Sequence, residues 1–224
     1  VYRSAVAWGD YDRDGDLDVL LAGYSNAFGP IARLYRNANG VFTNINAGLE
    51  GVYYASAAWV DHDNDGDLDI FVAGQSNCCP ISRIYRNQSG VFVDALASLQ
   101  GMYQGSVTWG DYDNDGDMDL LMAGYQSCCG RSTRVYRNDG GSMIDVGSLG
   151  LDAVDQGCVA WGDYDNDGDL DVLMVGYANC CGRFARAYRN QSGSFTDIGA
   201  GSKACTTLAL ARGVTTTTMA TSTS

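Results

Sequence analysis

The chain has a single histidine, His62. Without a second, the commonest general base is nearly absent, and no nucleophile–base–acid arrangement can be assembled. The chain is therefore read as a non-enzyme. No apolar run reaches the length needed to cross a bilayer, so no transmembrane segment is expected. Basic residues are scarce, 14 against 27 acidic, and eight of them are two arginines that recur in every repeat. That leaves no basic patch for nucleic acid. No stretch has the apolar spacing of a useful helix. The chain opens at Val1 with neither an initiating Met nor a signal peptide, which reads as a processed product or a fragment.

What the chain has in excess is aspartate at alternate positions. The pattern D-x-D-x-D-G-D-x-D occurs four times. It comprises Asp10, Asp12, Asp14, Asp16 and Asp18; Asp61, Asp63, Asp65, Asp67 and Asp69; Asp111, Asp113, Asp115, Asp117 and Asp119; and Asp163, Asp165, Asp167, Asp169 and Asp171. Five carboxylates so close repel one another unless a cation lies among them. Oxygen donors in such number suit Ca²⁺ better than Mg²⁺. Positions one, three, five and nine would supply side-chain oxygens. Position seven would supply its carbonyl and leave its carboxylate to water. Glycine at position six allows a tight turn with positive φ. Solvated acidic turns and a catalytic or transport metal are the alternatives. The loop lacks the position-twelve glutamate and flanking helices of an EF-hand, and joins two strands. Four bound Ca²⁺ would bring the formal charge from −13 to about −5, so the acidity is mostly metal-site chemistry. His62, at a position that is Tyr11, Tyr112 and Tyr164 elsewhere, reads as a tolerated surface substitution.

The loops mark a repeat. Trp8, Trp59, Trp109 and Trp161 are 51, 50 and 52 residues apart. Periods of this size indicate stacked or radial units. The expected units are 1–48, 49–98, 99–150 and 151–200, followed by a Thr-rich tail at 201–224. In the first unit, apolar runs bounded by turn residues predict strands over Ser4–Gly9, Leu17–Ala22, Ile31–Asn37 and Val41–Ile45. The fold class is all-β, with four tandem four-stranded blade-like repeats in a propeller or an open propeller-like array. The tryptophans read as core, against a ligand-stacking set. Arg36, Arg86, Arg137 and Arg189, with Arg33, Arg83, Arg134 and Arg186 three positions earlier, read as structural partners of loop aspartates or carbonyls. A carbohydrate- or carboxylate-binding face is the other reading.

Eight cysteines in a calcium-rich chain favour an oxidising, extracellular or cell-surface setting. Cys78-Cys79, Cys128-Cys129 and Cys180-Cys181 share one turn of repeats two to four, and bonds between neighbouring turns would staple the array. Cys158 and Cys205 would fasten the tail. Zinc is the alternative, disfavoured by adjacent cysteines and one histidine. Asn87 and Asn190 open glycosylation sequons in equivalent, exposed turns. The tail could be a glycosylated stalk, a linker or a connector strand.

The stretch W-G-D-Y-D-N-D-G-D-x-D resembles the FG-GAP/VCBS repeats of integrin α-subunit propellers and many secreted microbial proteins. The resemblance covers Val1 to about Ile198. It implies a propeller blade per repeat, with Ca²⁺ between the first two strands. The ligands carried over would be Asp10, Asp12, Asp14 and Asp18, and their counterparts in the other three loops. The family typically closes with seven blades. Four leave open a small ring, part of a larger ring, or an open array completed by another subunit. The main functional expectation is a calcium-stabilised structural or adhesion protein, self-assembling through its tail into a homo-oligomer or filament. A glycan or a cell-surface protein is a further expected ligand. The alternative is a calcium-dependent carbohydrate-binding propeller lectin.

Overall fold

A computed structural model describes residues 1–127, 129–178 and 182–200, the side chain of Phe184 aside. Four antiparallel sheets follow one another along the chain, each a simple meander of four strands. The first contains β1 (Tyr2–Gly9), β2 (Asp18–Ser25), β3 (Gly29–Ala38) and β4 (Val41–Asn44). The second contains β5 (Tyr53–Val60), β6 (Asp69–Gln75), β7 (Pro80–Gln88) and β8 (Val91–Asp94). The third contains β9 (Tyr103–Gly110), β10 (Asp119–Gln126), β11 (Gly130–Asp139) and β12 (Ser142–Gly147). The fourth contains β13 (Val154–Gly162), β14 (Asp171–Ala178), β15 (Gly182–Gln191) and β16 (Ser194–Asp197).

Each acidic loop spans the gap between the first two strands. Register places Gly9 opposite Asp18 at the loop end of the hairpin, and Tyr2 opposite Tyr24 at the far end. The seven-residue span of β1 separates those ends by about 23 Å. Near the far end every first strand carries a bulge. Its extra residue, Arg3, Tyr54, Gln104 or Gln156, has φ between 49° and 54°. Non-glycine residues in this region carry strain, and a bulge re-aims their side chains.

A single four-stranded sheet cannot bury both its faces, so the core lies between sheets. The first strands run side by side along the row, β1 against β5, β5 against β9, and β9 against β13. Among the described residues no comparable contact joins the fourth sheet to the first. Three apolar clusters fill the three junctions. Leu20, Leu34, Val52 and Ile70 lie in the first; Phe71, Ile84, Leu120 and Met122 in the second; Leu121, Val135, Val159 and Met174 in the third. Trp59, Trp109 and Trp161 pack into these junctions, as core. Trp8, in the first of the described sheets, does not, and lies exposed against Phe42.

Candidate functional site

The four loops fold alike. The position-one carboxylate accepts the N–H groups of positions five and six; in the first loop these are Asp14 and Gly15 to Asp10, at 3.1 and 3.0 Å. The glycines Gly15, Gly66, Gly116 and Gly168 take φ of 93°, 89°, 95° and 95°. Position nine is buried in every loop. Its carboxylate accepts the N–H of position two and of the Y-R-N asparagine; for Asp119 these are Tyr112 at 3.0 Å and Asn138 at 2.8 Å. The loop is thereby tied to its own third strand.

Carboxylates converge as a result. Asp10, Asp12 and Asp18 place oxygens within 4.8 Å of one another, as do Asp61, Asp63 and Asp65; Asp111, Asp113 and Asp115; and Asp163, Asp165 and Asp171. His62, Asp63 and Asp69 form a fifth such group. These clusters have the geometry to hold a divalent ion. A further observation fits one. Oδ1 of Asp12, Asp63 and Asp165 is buried without a hydrogen-bond partner. A buried, unpaired carboxylate oxygen is costly, and a cation among the carboxylates would satisfy it. Electrostatics agree. Burial pushes the Asp119 carboxyl up to about 7, with Asp113 and Asp115 adding to the rise. Burial also raises Asp18, Asp61 and Asp113, again reinforced by neighbouring carboxylates. Asp14 is held low by the N–H of Asp16 and by Arg36.

The recurring arginines hold these loops from outside. Arg36 reaches Asp12 and Asp14 at 2.6 and 2.9 Å, Arg86 reaches Asp63 at 2.5 Å, and Arg189 reaches Asp165 and Asp167 at 3.0 Å each. Arg137 turns instead to Asp139.

Three expectations need correction. Position seven does not simply face water. Asp67 pairs with Arg13 at 2.9 Å, Asp117 accepts from Asn64 at 2.5 Å, and Asp169 accepts from Asn114 at 2.9 Å. Position four of one loop thus grips position seven of the next. Asp16, Asp67, Asp117 and Asp169 belong to none of the convergent groups. His62 is buried, not superficial, with Nδ1 against Asp69 at 2.5 Å. Asn87 and Asn190, expected in exposed turns, lie near the ends of β7 and β15 with their side chains buried. Nδ2 of Asn87 donates to Tyr11 O and Leu68 O, and that of Asn190 to Tyr112 O and Leu170 O. A glycan on either nitrogen would displace both bonds.

Cys78 and Cys79, expected to link to a neighbouring repeat, lie exposed in one turn with sulfurs 2.9 Å apart. Cys129 and Cys158 are also exposed, and Ser106 Oγ donates to Cys158 Sγ at 3.7 Å. Cys128, Cys180, Cys181, Cys205 and the 201–224 tail lie outside the described residues.

At the opposite end of the hairpins runs a belt that sequence reading missed. Tyr2, Tyr24, Tyr53, Tyr54, Tyr103 and Tyr125 follow one another at centroid separations of 5.2, 5.5, 5.3, 6.1 and 5.6 Å. The guanidinium of Arg3 lies over Tyr54 at 4.2 Å and Tyr2 at 5.7 Å. The signal was present, since Tyr2, Tyr53 and Tyr103 each stand six residues before a tryptophan. Beside the belt, Tyr54, Ser56, Met102, Tyr103 and Ser106 line a small crevice.

A row of four-stranded sheets, each with an acidic loop between its first two strands, defines a propeller-type repeat protein. The chain belongs to the FG-GAP-like repeat family, which it matches over residues 10–72, 61–122 and 124–174. No curated protein matches it. Among solved structures it is similar to an Agrocybe aegerita lectin described for specific recognition of non-reducing terminal N-acetylglucosamine. That likeness has a TM-score of 0.51 and 20% identity, over 88% of this chain and 51% of the lectin, so the chain spans about half of it. It also matches the V. cholerae biofilm matrix protein Bap1, with a TM-score of 0.42 and 16% identity, over 90% of this chain and 39% of that one.

Proposed function

We propose that this chain is an extracellular carbohydrate-binding protein of the propeller-lectin kind, with Ca²⁺ in its acidic loops as a structural ion. The observation that carries the sugar reading is the tyrosine belt. Partly exposed rings offer apolar faces for the C–H side of a pyranose, while their hydroxyls and Arg3 offer hydrogen bonds to its oxygens. Strained bulges hold Arg3 and Tyr54 in place. The ions would act at a distance, holding the opposite hairpin ends so that the belt keeps its spacing. Likeness to a lectin adds support at the level of fold.

The test is a glycan array probed with the whole chain in calcium buffer, starting from glycans ending in N-acetylglucosamine. Tyr54→Asn keeps a residue that tolerates positive φ but removes the ring. It should abolish binding while leaving thermal stability nearly unchanged. A calcium-loaded, folded chain that binds no glycan would overturn the reading.

A further inference from the structure

Away from the acidic loops, one turn of the second unit brings two sulfurs together at the surface. Ser76-Asn77-Cys78-Cys79 joins β6 to β7, and Gln75 just before it stands opposite both Pro80 and Tyr53 of the belt. Ser76 is 3% exposed, whereas both cysteines are exposed. The buried serine builds the turn. Its N–H donates to Cys79 O at 3.0 Å, and its hydroxyl donates to the same oxygen at 2.8 Å. Its Oγ accepts the N–H groups of Cys78 and Cys79, each at 3.4 Å. Pro80 restrains Cys79 from the other side, because the residue before a proline is driven to extended backbone. Pro80 is itself backed by the link to the next unit: a Cβ at Gly101 would lie 2.1 Å from Pro80 O.

Cys78 Sγ and Cys79 Sγ lie 2.9 Å apart, and Ser76 Oγ lies 3.5 Å from Cys78 Sγ. The two thiols are not equivalent. Hydrogen bonds with Cys79 and then Ser76 hold the Cys78 thiol below its ordinary range, and the bond to Cys78 pushes Cys79 above it. Cys78 is thus the attacking sulfur and Cys79 the resolving one. The turn needs no cysteine to form. The first unit has Ala27-Phe28 there, and Ser25 Oγ accepts the N–H of Ala27 at 3.3 Å. A bond within the pair would be cramped. Adjacent Cα atoms stand about 3.8 Å apart, and disulfides ordinarily span about 4.4–6.8 Å. Strained and exposed disulfides are the readily reduced ones, suited to exchange and not to stapling.

We propose that Cys78 and Cys79 form a reversible redox site, which exchanges with a low-molecular-weight disulfide and closes a bond within its own turn. The Cys78 thiolate attacks one sulfur of the incoming disulfide. That S–S bond breaks, a mixed disulfide forms on Cys78, and the first small thiol leaves with the proton that Cys78 gave up. Cys79 then loses its proton and attacks Cys78 Sγ. The mixed disulfide breaks, the Cys78–Cys79 bond forms, and the second small thiol leaves with that proton. The pair is oxidised by two electrons, and the small disulfide is reduced to two thiols. Excess small thiol runs the sequence backwards. The inference depends on neither sugar nor calcium binding.

The test equilibrates the whole chain in mixtures of glutathione and glutathione disulfide, quenches it in acid and digests it with trypsin. Cleavage after Arg36 and Arg83 yields a peptide whose only cysteines are Cys78 and Cys79. In excess glutathione disulfide, mass spectrometry should find this peptide unlinked to any other and lighter by two hydrogens. In excess glutathione it should regain both. Cys79→Ser keeps the attacking sulfur and removes the resolving one, so it should stop with one glutathione held on Cys78. Circular dichroism checks that this variant folds. A wild-type peptide that stays a dithiol at every ratio, or that is bonded to a cysteine of another peptide, overturns the proposal. A folded Cys79→Ser chain that takes up no glutathione overturns it as well, because Cys78 would then not be the attacking sulfur.

Discussion

Replacing Asn138 by alanine isolates what fastens one unit to the next. Its Nδ2 donates to His62 O of the preceding unit at 2.6 Å and to Met118 O of its own loop at 3.1 Å. Its Oδ1 accepts from Gly141 N at 2.8 Å. The side chain is fully buried. Alanine deletes all three bonds, leaving His62 O buried and unpaired and Met118 O and Gly141 N partly buried. Each fully buried group left unpaired costs about 1–3 kcal/mol; three would give roughly 3–9 kcal/mol, and the partial burial of two of them brings the sum to about 3–6 kcal/mol. The chain contains its own control. Asn37 occupies the equivalent place in the first unit, where none of the described residues supplies a preceding loop. It donates to Leu17 O and accepts from Gly40 N, and both bonds are open to water. Water replaces such partners, so Asn37→Ala should cost only about 1–2 kcal/mol. Urea unfolding in excess calcium, at low protein concentration and with unchanged m, measures the difference. Asn138→Ala should be the worse by about 2–4 kcal/mol. Equal losses would refute the idea that this asparagine works across the junction.

Three further outcomes are expected. Asp165→Ala should lower stability in saturating calcium by about 2–3 kcal/mol, the linkage from one site at roughly a hundredfold ligand excess. In excess chelator the variant and the wild type should unfold alike, and calorimetry showing no calcium binding by the wild type would sink the assignment. The Asp119 carboxyl sits at about 7 in the ion-free fold, above its ordinary value of 3.8. The ion-free fold therefore holds a proton that the unfolded chain has lost. Its stability should fall as pH rises through that window, and bound calcium should remove the fall. Melting curves against pH, with calcium and with chelator, check the sign.

Much of this architecture was legible in the chain. Alternating aspartates around a glycine, followed at once by Val19-Leu20-Leu21, identify a loop between strands, and its fourfold return identifies the row. Less legible were properties that depend on which unit stands beside which. Tryptophan at a fixed place looks the same in all four repeats, yet Trp8 is exposed because burial comes from the preceding sheet. Asn87 and Asn190 read as surface sequons because their turns are polar, but their side chains turn inward to a neighbour's carbonyl. His62 looked tolerated in a charged loop, although position two faces the junction and Asp69 lies beneath it. The tyrosine belt escaped notice because its members are dispersed in sequence and meet only when the hairpins stand side by side.

The row is pinned along two edges by different chemistry, and this has a mechanical consequence. One edge carries the acidic loops, linked in series by Arg13, Asn64 and Asn114. The other, a strand's length away, carries stacked tyrosines. With Ca²⁺ bound as proposed, ions would draw the carboxylates of the first edge together and leave the second untouched, as heat lengthens only one layer of a bimetallic strip. Stripping the ions should therefore bend the row without shortening the chain of units. Small-angle scattering would register this as a change of curvature on adding chelator, with every sheet still folded. Whatever grips the tyrosine edge would then sense calcium that never touches it.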